Sequence, residues 1–103
     1  MAETVGELPG KGAFSQAVHS TFRAAFDGHP EFTLRLTEFN DSSNAAQETF
    51  SLLFQAPVDA PEIQSIYRLE NDDLGTIDLF LVPVRKDENG LYYEAVFNRF
   101  LNP

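Results

Sequence analysis

Along most of this chain apolar and polar residues alternate with period two. FTLRLTEF puts Phe32, Leu34 and Leu36 on one face and Thr33, Arg35 and Thr37 on the other. QETFSLLFQA does the same with Phe50, Leu52 and Phe54 against Thr49, Ser51 and Gln55, with Leu53 breaking the polar face. Such alternation predicts half-buried β-strands. A strand over Ile63–Glu70 follows, with Ile63, Tyr67 and Leu69 in register. The segment AFSQAVHSTFRAAF is ambiguous, because Phe14, Val18, Phe22 and Phe26 recur every four residues while Phe22, Ala24 and Phe26 also alternate. It resolves into a short helix over Ala13–His19 and a strand over Thr21–Phe26.

Turn chemistry separates these runs. Asp27–Glu31 reads as a five-residue connection, which places Phe26 opposite Phe32, Ala24 opposite Leu34 and Phe22 opposite Leu36. Asn40–Asn44 is a polar turn cluster, and two prolines in Ala56–Pro61 end the strand before them. Asn71–Asp73 leads into the last third of the chain.

That last third, Leu74–Phe100, carries apolar side chains on both faces of its two runs. With Asp87–Gly90 as a four-residue loop and Gly90 left-handed, Val84 faces Tyr93, Val82 faces Ala95, Phe80 faces Phe97 and Asp78 faces Arg99. Pro83 lacks an N–H donor and implies an edge position or a bulge. The expected core is Phe50, Leu52, Phe54, Phe80 and Phe97. Ile77, Leu79, Leu81, Val96 and Phe100 then lie on the second face and need a cover. Helix residues Phe14 and Val18 would supply part of it. A strip near Leu81 and Val96 remains for another subunit or partner.

The expected fold is mainly β: an antiparallel barrel or curled sheet of five to six strands with one short N-terminal helix. At 103 residues it forms one domain over residues 13–103, after an irregular arm over residues 1–12 that holds Gly6, Pro9, Gly10 and Gly12.

Composition narrows the chemistry. The formal net charge of −9 argues against nucleic acid and against an anionic membrane surface as partners. No apolar run approaches the ~20 residues needed to span a bilayer, and no signal-like segment opens the chain. Cysteine is absent, which fits a reducing cytoplasm. His19 and His29 lack metal spacing, and the Glu70–Asp73 turn lacks the ligand spacing of a calcium loop. Ser42, Ser43 and Ser51 lack a nucleophile-elbow context. Arg68, Arg85 and Arg99 sit on strands among acids, as cross-strand partners or as interface anchors. No catalytic residue, cofactor or metal ligand is expected.

Three strings carry a resemblance: ETFSLLFQAP, IYRLENDDLGTIDLFLVPV and GLYYEAVFNR. Together, over roughly Phe32–Arg99, they resemble a family of small uncharacterised bacterial proteins encoded beside phage-tail-collar-like proteins. The resemblance implies an accessory or structural role near a tail-fibre-like assembly, and it brings no functional residues. The expected function is therefore a non-enzymatic module that binds another protein or itself. A carrier of one small apolar ligand inside a β-barrel is the alternative, and an enzyme with an unrecognised site is the last.

Overall fold

A computed structural model describes residues 8–100. It holds one helix, α1 (Lys11–Gln16), and six strands: β1 (Thr21–Phe26), β2 (His29–Asp41), β3 (Gln47–Ala56), β4 (Ser65–Asn71), β5 (Gly75–Asp87) and β6 (Gly90–Phe100). Residues 1–7 of the expected arm lie outside the described residues. The helix begins two residues earlier than expected, at Lys11, and ends at Gln16. His19, expected to close it, instead sits in the turn into β1 with a φ of 78°.

The strands close into an antiparallel barrel in the order β1-β2-β3-β6-β5-β4. This is a Greek-key arrangement, because β4 returns by the crossover after β3 to lie beside β1. Two three-stranded meanders thus meet at two seams. One is long, with ten residue pairs from Gln47–Phe100 to Ala56–Leu91 between β3 and β6. The other is short, with Arg23–Glu70, Ala24–Leu69 and Ala25–Arg68 between β1 and β4.

Alternation decides which side chains enter the barrel. Phe22 and Ala24 of β1, Leu34 and Leu36 of β2, and Phe50, Leu52 and Phe54 of β3 are buried, as the sequence pattern predicts. Tyr67 and Leu69 of β4 are buried too, whereas Ile63 precedes that strand and is exposed. Aromatic contacts run through the interior. Phe50 stacks on Phe97 at 4.5 Å, Phe22 meets Phe54 edge-on at 5.2 Å, and Phe26 stacks on Tyr67 at 4.8 Å. Pairs in this range add to the area each ring buries.

Both ends of the barrel are closed from within the chain. At one end the fully buried Phe14 of α1 packs against Phe50 and Phe97. At the other, the β3–β4 crossover folds inward at Ala60 and Pro61. There the Tyr67 hydroxyl donates to the Ile63 carbonyl and the Tyr93 hydroxyl to the Pro61 carbonyl. Phenols can sit this deep because each retains an acceptor.

Three bulges bend the strands. Pro30 and Glu31 of β2 together oppose Ala25, so the first hairpin closes at Asp27-Gly28 and pairs Phe22 with Leu34 and Ala24 with Phe32. The inward face is the expected one, but the register is two residues from the expected pairing. Asp-Gly is a two-residue hairpin signal, and Pro30 is accommodated at the bulge rather than in a loop. A second bulge at Thr37 moves the inward positions of β2 from Leu36 to Phe39, whose ring then packs on Phe50. The third lies at Val84, between the pairs Pro83–Tyr93 and Arg85–Tyr92.

Candidate interaction surface

The bulge at Val84 determines what the barrel shows to its surroundings. From the turn up to Arg85–Tyr92 the last hairpin keeps the expected register, with Asp87 opposite Gly90. Val84 is then an extra residue on β5, and every later pair is displaced by one. Pro83 rather than Val84 faces Tyr93, and Val82 faces Glu94 rather than Ala95. A one-residue slip sends each side chain of a strand to the opposite face.

Two expectations are corrected as a result. Ile77, Leu79 and Leu81, expected on an outer strip, point into the core at 6 %, 3 % and 0 % exposure. Phe80, expected in the core, is 53 % exposed, whereas Phe97 keeps its expected inward place on β6, half-buried against the core cluster. Val96 and Phe100 do face outward. The expected Asp78–Arg99 pair is replaced by two others. Arg68 donates to Asp78 across the β4–β5 ladder at 3.0 Å, and Arg99 pairs with Glu48 across β3–β6.

The outer apolar surface therefore centres on Phe80. Directly across from it on β4 stands Ile66, 64 % exposed. Val82, half-buried, follows on β5. The β5–β6 ladder ends at Val82–Glu94, and Val96 lies two residues further along β6, also exposed. Exposed cross-strand pairing of isoleucine with phenylalanine leaves apolar area in water that burial against a partner would remove. The alternation on β4 places Ile66 outward, while Phe80 becomes outward only through the bulge, for which Pro83 is the signal in the sequence.

Beside this pair runs a cleft lined by Phe26, Asp27, His29, Glu31, Ser65, Ile66 and Arg68, among others. It forms where the first hairpin's tip leaves β4 after the pair Ala25–Arg68. A separate cleft lies at the helix end, between Leu8–Lys11 and Glu48, Phe50 and Phe97–Arg99.

Charge on this surface is one-sided. Among the described residues every lysine and every arginine except Arg35 has a carboxylate partner, and Arg35 instead approaches Nδ1 of His19 at 3.3 Å. Arg85 also lies over the Tyr92 ring at 4.1 Å. Among the described residues Asp27 and Glu31 have no basic partner. The Glu70–Asp73 turn is organised by Asn71, the buried polar residue of the core. Its amide donates to the Ser20 hydroxyl and the Thr21 carbonyl and accepts from the N–H groups of Asp73 and Leu74. Among the described residues no three His, Asp or Glu side chains gather in a way that could hold a metal ion.

A model of a domain of unknown function, DUF6916, matches residues 10–97. No curated protein and no solved structure matches the chain.

Proposed function

The chain belongs to the DUF6916 family of domains of unknown function, and from its surface we propose that it is a non-enzymatic protein-interaction module. The observation that carries this reading is the exposed Ile66–Phe80 pair, set directly across the β4–β5 ladder. β5 fills the core with Ile77, Leu79 and Leu81, so the fold has no use for phenylalanine at the outward position 80, whereas a binding face does. The partner is another protein or a second copy of the chain. The resemblance in its strand sequences makes a tail-fibre-like assembly, in a bacterial cytoplasm, the first place to look for it.

Support for a non-enzymatic role comes from where the ionisable groups go. The basic side chains are spent on exposed cross-strand and loop pairs, and even Arg68, which lines the cleft, is taken up by Asp78. A carrier role would need interior volume, and Phe14, Phe22, Phe54, Tyr67 and Tyr93 occupy the interior at 0 % exposure.

The test compares the full chain with Ile66→Lys/Phe80→Lys. Sedimentation velocity and native mass spectrometry should show a defined oligomer, or one protein retained in fixed ratio from the source cells. The double variant should lose it while keeping the same melting temperature. A chain that is monomeric and alone in both forms would end this reading.

A further inference from the structure

We infer that the cleft between the first hairpin and β4 is a slot for one extended segment of a partner protein, carrying basic and apolar side chains in alternation. The inference rests on the interaction-module reading and specifies its site and its ligand. Three observations converge on it.

The first is an unused strand edge. β4 begins at Ser65, but its pairing with β1 covers only Arg68–Glu70. Continuing that register would set Tyr67 opposite Phe26 and Ile66 opposite Asp27. The chain instead turns at Asp27-Gly28 into β2, whose bulge at Pro30 and Glu31 carries the tip away. Ladder bonds alternate between a strand's two neighbours, so within Ser65–Tyr67 it is Ile66 whose N–H and C=O face β1, and these have no strand partner among the described residues. A free edge of this kind is what an added strand pairs with.

The second is an apolar floor. Under the gap Phe26 stacks on Tyr67 at 4.8 Å, half-buried rather than fully covered. Ile66 stands exposed at the mouth. The third is charge. Asp27 and Glu31 line the hairpin wall without a basic partner among the described residues, while Arg68, on the opposite wall, is held by Asp78 at 3.0 Å. The slot is left acidic. An added strand has side chains with period two, so apolar residues can meet Phe26 while the intervening ones meet the carboxylates. The intervening residues are then lysine or arginine, and an acidic segment is repelled.

The experiment titrates the isotope-labelled full chain with two capped hexapeptides, alternating lysine–valine and alternating glutamate–valine, followed by amide chemical shifts. The lysine peptide should give saturable shifts confined to Phe26–Glu31 and Ser65–Arg68, weakened by added salt, and the glutamate peptide should give none. Asp27→Asn/Glu31→Gln should weaken the lysine peptide about fivefold, the effect of losing two exposed charge pairs. Shifts elsewhere on the barrel, equal binding of both peptides, or no binding would overturn the slot. If the slot fails while Ile66→Lys/Phe80→Lys still abolishes association, the module binds through its flat face. If both fail, the interaction reading falls with the slot.

Discussion

Gly90 combines two constraints in one residue. Its φ is 149°, and a Cβ placed there would lie 2.2 Å from the Ala56 carbonyl oxygen. Alanine must therefore strain the backbone and push β6 from β3 at the start of their ladder. Gly90→Ala should cost more than about 2 kcal/mol in denaturant unfolding, given ~1–3 kcal/mol for an unfavourable backbone conformation alone. A loss below 0.5 kcal/mol, roughly the scatter of harmless surface changes, would contradict this close approach. Tyr93 sets the alkaline limit. Burial raises its phenol well above the ordinary value of 10.0, and Tyr67 beside it adds to the rise. A raised native pKa stabilises the fold fully below the unfolded value, and that contribution is lost as pH climbs toward the native one. Stability should therefore fall above about pH 10, with tyrosinate absorbance rising together with unfolding. Tyr93→Phe should be weaker at neutral pH by about 1 kcal/mol, through the lost bond to Pro61, yet less sensitive to alkali. Asp41 acts at the other limit. The Ser43 side chain, Lys11 and the Ser43 N–H lower its carboxyl from 3.8 to about 2. Its contribution is present above the unfolded value and lost as pH falls from 3.8 toward 2. Carboxyl NMR should find Asp41 titrating near 2, and Lys11→Met should move it upward; titration near 4 in the full chain would refute the contact.

At the scale of elements, the informative comparison is between neighbours on β5. Leu81 is fully buried and Phe80 is not. Leu81→Ala should cost about 2–5 kcal/mol, and Phe80→Ala under about 1 kcal/mol, as for an exposed site. The reverse order would mean that Val84 is not bulged. The strands themselves were legible because side-chain alternation is a local signal; β1 starts and ends where Thr21–Phe26 predicts. The inward face of β3 was legible for the same reason. Bulges were not, because a bulge adds one residue without altering the composition of the strand around it. Pro83 announced one without fixing whether the extra residue lay before or after it. Thr37 announced nothing, since its hydroxyl's bond to the Leu53 carbonyl depends on a strand distant in sequence. The candidate surface inherited this error. Alternation predicts the outward placement of Val96 and Phe100 on β6, where no bulge intervenes, and fails for Ile77, Leu79 and Leu81 on β5, where one does.

On the scale of the molecule, ring closure is uneven. Ten residue pairs join the meanders at β3–β6 and three at β1–β4. If the barrel opens without unfolding, it opens like a book along β1–β4, with β3–β6 as its spine. The three pairs that latch it include Arg23–Glu70, reinforced by an exposed 3.5 Å ion pair that salt will screen. Native-state amide exchange should therefore be hierarchical, with the Arg23, Ala25, Arg68 and Glu70 amides exchanging through openings well below the global unfolding energy, and Phe50–Phe54 with Tyr93–Phe97 only through it. Uniform protection across both seams would mean that the ring breaks as one unit. An openable latch also has a kinetic meaning: a partner strand docking beside β4 would close the cover, so its dwell time would be tied to how often the book falls open.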